Sequence, residues 1–302
     1  PAGAFLDLLE DGTVLVLTGC ADIGQGSSTV LAQIAAEELG VSVEDVLVVA
    51  GDTGISPDAG ATSASRQTYI SGNAVRLAAR QAKQVLLAEA AGMLGVPAET
   101  LEVAGGFIRQ KGSGEAVSVK EVLASCRARG KLTLGSGWFN PPTTALDEAG
   151  QGVPYATYSF ATQVAEVEVD PETGKVNVLR IVAAHDVGRA VNPQATEGQI
   201  EGGCAMGVGY ALTEEVQVVS GEIKNTNFSA YILPLSLDMP KVYPLIVEDP
   251  EPTGPFGAKG VGEPALIPTA AAIANAVANA LGVRFYSLPL TPEKVVSGLN
   301  SQ

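Results

Sequence analysis

Gln163-Val-Ala-Glu-Val-Glu-Val169, Asp170-Pro-Glu-Thr-Gly174 and Lys175-Val-Asn-Val-Leu-Arg-Ile-Val182 read as a strand, a turn and a returning strand. Apolar residues alternate with polar ones before the turn, and a period of two puts one face of a strand towards a core. Asp, Pro and Gly break the pattern where a turn needs them. A glycine-rich helical stretch follows over 195–212, carrying Gly198, Gly202, Gly203, Gly207 and Gly209. Each glycine costs a helix up to about 1 kcal/mol relative to Ala. Such a helix persists only where something packs very close to it.

Working outward, the first half repeats the theme. Residues 4–9 and 13–18 flank Asp11-Gly12, a two-residue hairpin signal. Gly24-Gln25-Gly26-Ser27-Ser28 then turns the chain, and Ser27 or Ser28 is placed to N-cap a helix running to Leu39 and closed by Gly40. A short strand is expected at 46–50, a loop of small polar residues at 51–68, and one long helix at 71–94 with Val75, Ala78, Ala79, Ala82, Leu86 and Leu87 on one side. A last Ala-rich helix is expected at 268–281. Hairpin then helix in both halves predicts a duplicated α+β unit, not a parallel α/β sheet. The Gly- and Pro-rich stretch 130–154 is the expected boundary, giving two mixed sheet and helix subdomains, 1–140 and 141–302.

The totals narrow the function. The chain has 302 residues, 46% of them hydrophobic, with 35 glycines and few aromatics. A net charge of −15 disfavours nucleic acid or an anionic membrane as partner, because both need basic patches. No signal peptide or bilayer-length apolar run is visible. Cys20, Cys126 and Cys204 are dispersed thiols that suit a reducing cytoplasm and build no iron–sulfur or zinc site in this chain. His185 is the sole histidine, which excludes a multi-histidine metal site. It neighbours Asp186, but a structural hydrogen bond is expected of it in place of a catalytic dyad. No Gly-x-Ser-x-Gly elbow is present. Pro1 opens in what reads as mid-domain sequence, as in a fragment, a processed chain or a subunit.

Three loops could carry chemistry. Asp22-Ile-Gly24-Gln25-Gly26-Ser27-Ser28 lies between a strand and a helix. Its backbone N–H groups and the helix dipole suit a phosphate or a pterin, with Gln25 able to donate and accept. It lacks the Lys of a P-loop and the dinucleotide fingerprint. Taken by itself, the motif reads more simply as a plain glycine turn with a capped helix. Asp58-Ala-Gly60-Ala-Thr-Ser-Ala-Ser65-Arg66 is rich in hydroxyls, suited to a polar ligand or to solvent. Gly254-Pro-Phe-Gly-Ala-Lys-Gly260-Val-Gly-Glu263-Pro264 packs glycines around one carboxylate, and Pro264 holds Glu263 away from helix. It reads as a close-fitting loop presenting one acid, or as a Gly/Pro connector with a solvated Glu.

In this order, together with Ala184-His-Asp-Val-Gly-Arg-Ala-Val-Asn-Pro193, Glu197-Gly-Gln-Ile-Glu-Gly-Gly203 and Leu288-Pro-Leu-Thr-Pro-Glu-Lys294, the loops resemble the molybdopterin-binding region of the xanthine dehydrogenase and aldehyde oxidase family, the molybdenum hydroxylases. The likeness spans nearly the whole chain and is specific as a set. It implies a molybdopterin cofactor, in a dinucleotide form, whose metal is held by the cofactor's own sulfurs and not by side chains. It implies hydroxylation of an electron-poor carbon with oxygen from water. Glu263 matches the family's catalytic glutamate, a general base. Gly24, Gln25, Gly26 and Ser27 match its pterin-contacting turn. Ala61, Thr62, Ser63, Ser65 and Arg66 match the second cofactor loop, and Lys259, Gly260, Val261 and Gly262 lead to the base.

The family's Gly-Phe-Gly-Gly and Arg-Gly-Phe-Gly loops are absent from this sequence. The chain therefore resembles the second half of the region, as in nicotinate dehydrogenases that split it between subunits. This implies partner subunits bearing the first half, iron–sulfur clusters and FAD. It also implies a small-molecule substrate of nicotinate or purine type. The alternatives are an aldehyde- or carbon-monoxide-oxidising relative, or a cofactor-binding or maturation scaffold.

Overall fold

The computed structural model describes residues 1–112 and 114–301, and the chain forms two compact units. The first comprises Pro1–Tyr158 and Pro250–Gly260, the second Ser159–Asp249 and Val261–Gln302. The units are thus drawn differently from the expected 1–140 and 141–302 segments.

In the first unit β1 (Ala2–Leu8) and β2 (Val14–Thr18) form an antiparallel hairpin. Its turn is a three-residue loop and not the expected two-residue one. Gly12 N–H donates to Leu9 O at 2.9 Å, Leu9 N–H donates to Thr13 O at 2.8 Å, and Gly12 has φ 93°. That is a tight turn followed by a left-handed residue, the bulged form that glycine favours. Next come α1 (Ser27–Leu39), β3 (Val46–Ala50) and α2 (Gly72–Leu94). Gly40 closes α1 in a left-handed conformation, as expected. β3 runs parallel to β2. A small sheet of β4 (Leu101–Ala104), β5 (Phe107–Gln110) and β6 (Ala116–Ser118) precedes α3 (Val119–Ala128). β7 (Leu134–Phe139) then pairs antiparallel with β1, giving the order β3-β2-β1-β7.

β7 lies inside the stretch 130–154, the expected boundary, and it belongs to the first unit's sheet. A β-carbon added at Gly135 or Gly137 would lie 1.9 Å from the carbonyl oxygen of Ala78 or Ala74. The two glycines, with buried Ala74, Ala78 and Ala82, let α2 lie directly on the sheet. They are packing residues, not punctuation.

The second unit repeats the plan. β8 (Ala161–Val169) and β9 (Val176–Asp186) form the expected hairpin, with a bulge at Glu166/Val167. α4 (Pro193–Leu212) follows, capped by the Asn192 side chain accepting from Ala195 N–H. After the short pair β10 (Val218–Val219) and β11 (Glu222–Ile223), β12 (Lys241–Val247) runs parallel to β9, giving the order β12-β9-β8. α5 (Thr269–Leu281) and α6 (Pro292–Asn300) complete it. Each unit therefore contains hairpin, helix, strand parallel to the hairpin's second strand, and a further helix. α2 packs on β1, β7 and α1, and α5 packs on β8 and α4. The expected duplication is present as topology. Ile181, Ile200, Cys204, Val208, Ile273 and Val277 centre the second core.

The glycines of α4 divide by face. A β-carbon at Gly203 or Gly207 would meet Ala265 at 2.5 Å or Thr269 at 2.3 Å, whereas Gly198 and Gly202 are exposed with nothing within 4 Å. Close packing thus explains one side of the helix. Among the described residues no helix is long and apolar enough to cross a membrane.

Candidate functional site

The first unit gathers most of the candidate residues. The loop after β2 and the loop after β3 leave the same end of the sheet, because those strands are parallel. Thr62 Oγ1 donates to Ala21 O at 2.7 Å and ties the two loops together. Gln67 Nε2 donates to Ala61 O at 3.2 Å and to Thr62 Oγ1 at 3.1 Å. Arg66 spends its guanidinium on carbonyl groups, with Nη2 donating to Pro1 O at 2.9 Å and Nη1 to Ala61 O at 3.0 Å. Ala64 and Ser65 have φ of 52° and 51°, a left-handed conformation that non-glycine residues adopt at a cost. Backbone strain of this kind concentrates at ligand clamps.

The third loop joins them. A β-carbon at Gly260 would sit 1.6 Å from Ser65 O, so the segment leading to Glu263 lies against the backbone of the second loop. Thr253 fastens its start, through Tyr69 Oη at 2.6 Å and through Thr253 O accepting from Asn73 Nδ2 at 2.9 Å. Lys259 is buried, within electrostatic reach of Glu251. Burial raises the Glu251 pKa, but hydrogen bonds from Thr253 and the Lys259 charge bring it below the usual carboxylate range.

Two details of the first loop differ from expectation. α1 is not capped by Ser27 or Ser28. Its N-cap is Gly26, left-handed, with no side-chain bond. Asp22 caps the turn instead, accepting from Gly24 N–H at 2.9 Å, Gly26 N–H at 3.3 Å and Ser28 N–H at 3.1 Å. Burial raises its pKa, and those three backbone bonds outweigh it and hold the carboxylate ionised. The donors expected to be free for a phosphate are therefore already met by an anion. Gln25 likewise turns inward, with Oε1 accepting from Ile23 N–H at 2.6 Å and Nε2 donating to Ser27 Oγ at 2.9 Å and Ala21 O at 3.2 Å. Sequence reading missed Asp22, whose signal was its position two residues before a Gly-x-Gly turn.

Val261, Gly262 and Glu263 belong to the second unit. Glu263 is exposed, and its carbonyl accepts from Leu266 N–H at 3.0 Å. Ala265 behind it is fully buried against Gly203. His185 is buried, 1% exposed, with Nε2 at 3.0 Å from Gln163 Nε2, the structural role expected of it. Asp186 Oδ1 accepts from Gly188 N–H at 2.9 Å. The three cysteines are buried, and burial raises each thiol pKa, which makes them packing residues.

The first-unit loops offer hydroxyls, amides and small residues around open glycines. A β-carbon at Gly24 or Gly26 meets nothing within 4 Å. This set fits a pterin, which needs donors and acceptors at close range, where the ligand takes over bonds that now run to Asp22 and within the loops. Among the described residues no group of three or more His, Cys, Asp or Glu is placed to hold a metal.

Comparison with known proteins agrees with this chemistry. The family described as the molybdopterin cofactor-binding domain matches residues 1–240. A xanthine dehydrogenase molybdenum-binding subunit of Escherichia coli O157:H7 is 37% identical over 299 residues, covering 97% of this chain and 39% of that protein. The gamma subunit of the 6-hydroxypseudooxynicotine dehydrogenase complex of Paenarthrobacter nicotinovorans is 37% identical over 302 residues, covering 98% and 37%. Quinoline 2-oxidoreductase from Pseudomonas putida 86 superposes with a TM-score of 0.89 at 28% identity, covering 100% of this chain and 38% of that one. Aldehyde oxidoreductases and a carbon monoxide dehydrogenase also match. The chain spans well under half the length of these relatives. On a family match across most of its length and on the same fold, the chain belongs to the molybdopterin-binding proteins of the xanthine dehydrogenase and aldehyde oxidoreductase family, the molybdenum hydroxylases.

Proposed function

We propose that this chain forms part of the active site of a molybdenum hydroxylase and supplies its general base, Glu263. The observation that carries the reading is the contact of Gly260 with Ser65. It sets Gly260, three residues before the carboxylate in sequence, against the loop proposed to hold the cofactor. The residues proposed to contact a molybdopterin dinucleotide are Gly24, Gln25, Gly26 and Ser27, then Ala61, Thr62, Ser63, Ser65 and Arg66, then Lys259, Gly260, Val261 and Gly262. Gln25 reaches the cofactor by exchanging one of its turn contacts, and Ser27, Thr62 and Ser63 contribute hydroxyls.

When bound, the cofactor supplies the two-electron oxidation. The work of this chain is to hold it and to move a proton. Glu263 takes a proton at its carboxylate from the attacking oxygen nucleophile, for which it must lie within hydrogen-bonding reach of that proton. Pro264 and the glycines before it limit the conformations from which it does so.

The substrate class proposed is an N-heteroaromatic compound of nicotinate or purine type. The names of the xanthine, quinoline and 6-hydroxypseudooxynicotine enzymes support it. The aldehyde and carbon monoxide enzymes among the matches favour the second reading, an aldehyde- or carbon-monoxide-oxidising relative. The rest of the pocket, the iron–sulfur clusters and FAD are proposed to reside on partner subunits in the cytoplasm.

The test is co-expression with a subunit carrying the remaining region. The chain alone should purify free of molybdenum and pterin, and the complex should carry both and oxidise nicotinate or a purine faster than an aldehyde. An active, molybdenum-loaded monomer of this chain would overturn the assembly, and faster aldehyde oxidation the substrate class.

A further inference from the structure

A partly buried polar network, half-buried Gln163 with buried His185 and Thr269, lies close behind Glu263 in the chain, and counting its protons assigns it a task. Gln163 on β8 places Nε2 2.8 Å from Ala265 O and 3.0 Å from His185 Nε2, and Thr269 Oγ1 donates to Gln163 Oε1 at 2.6 Å. Thr269 Oγ1 also lies 3.1 Å from Ala265 O. A hydroxyl has one proton, and the shorter contact takes it. Ala265 O, in a residue with no solvent exposure, then depends on Gln163. Turning the Gln163 amide over would set its oxygen 2.8 Å from Ala265 O, two acceptors facing each other. The amide is therefore fixed, with both its protons donated and its oxygen accepting. His185 Nε2 must be the acceptor, so the imidazole proton sits on Nδ1, a buried atom with no hydrogen-bond partner among the described residues.

The geometry and the backbone point the same way. Ala265 follows Glu263 by two residues, and Glu263 O is bonded to Leu266 N–H. Gly203 admits Ala265 to contact with α4 because a β-carbon there would lie 2.5 Å from the Ala265 β-carbon. The turn that presents Glu263 is thus held at its rear by a side chain from the hairpin and by a notch in α4.

We propose that Gln163, oriented by His185 and Thr269, is a positioning residue that fixes the Ala265 carbonyl and thereby the reach of the Glu263 carboxylate. The inference rests on the proposed role of Glu263 as base. A misplacement of about 1 Å in a catalytic group can cost on the order of a hundredfold in rate, and a loosened turn gives part of that.

The experiment uses the assembled, cofactor-loaded complex with Glu263→Gln as control. Gln163→Leu should lower kcat at least about tenfold with KM within about threefold and molybdenum content unchanged. Amide exchange at Leu266 should quicken by about tenfold while β9 amides stay as in wild type. Should Gln163→Leu not assemble, Thr269→Val removes only the hydroxyl. It should show the same loss, and Thr269→Ser should recover it. Glu263→Gln with full turnover would overturn the role of Glu263 and this proposal with it. An inactive Glu263→Gln beside wild-type kcat and Leu266 exchange in Gln163→Leu, or in Thr269→Val where Gln163→Leu does not assemble, would overturn the positioning role alone.

Discussion

The backbone at Gly260 meets the carbonyl oxygen of Ser65 so closely that a β-carbon on Gly260 would lie 1.6 Å from it. No side chain fits there. Ser65 itself is left-handed, φ 51°, so neither side of the contact is relaxed backbone. Gly260→Ala must therefore displace one of the two loops. Overpacking of this kind costs about 1–3 kcal/mol. The expected outcome is loss of pterin from the purified complex with a lowered thermal midpoint, measured by pterin fluorescence and calorimetry. Gly24→Ala, where a β-carbon meets nothing within 4 Å, should strain the turn through its φ of 105° without a steric clash.

Glu263→Gln keeps the shape of the side chain and removes its basicity. Loss of a general base costs about a hundredfold to ten-thousandfold. Turnover should collapse while molybdenum and pterin content stay at wild-type levels. Near-normal turnover at full molybdenum content would refute the assignment.

Gln25→Ala removes three bonds inside the first loop, to Ile23 N–H, Ser27 Oγ and Ala21 O. The loop is open to solvent on the glycine side, so the global fold should persist. The turn should lose its shape, and pterin affinity should fall by about 1–3 kcal/mol. Pterin retention after gel filtration checks this, with wild-type retention as the contrary result.

His185 gives a pH signature. Burial lowers its pKa below the ordinary 6.5. The unfolded chain then binds the proton more readily than the folded one. The stabilisation is complete above the unfolded pKa and declines as pH falls through 6.5 towards the folded value. Asp22 and Glu38, whose folded pKa values are lowered as acids, lose their contributions only as pH falls through the ordinary values of 3.8 and 4.5 towards the lower folded ones. The thermal midpoint of the complex should thus fall as pH drops below 6.5, and His185→Gln should flatten that slope. An unchanged slope would show that protonation of His185 is not its source.

Local chemistry made much of this protein legible from sequence alone. The alternation at 163–169 and the Asp-Pro-Glu-Thr-Gly turn specify the β8–β9 hairpin, because strand period and turn residues are properties of neighbours along the chain. Gly40 and the apolar spacing from Val75 to Leu86 mark α1's end and α2's buried side for the same reason. The ordered set of loops sufficed for the family, and the single-carboxylate loop for the candidate base. Tertiary structure decided what depends on residues distant in sequence. Gly135 and Gly137 read as part of a boundary until α2 is laid across them. Nothing local announces that β3 and β12 lie parallel to β2 and β9. Gln163 reads as one more polar position in an alternating strand, yet its partners Ala265 and Thr269 lie 102 and 106 residues away. Those bonds exist only because folding brings a carbonyl, a hydroxyl and an imidazole to one buried point, where each unmet polar group costs free energy and so selects its partner.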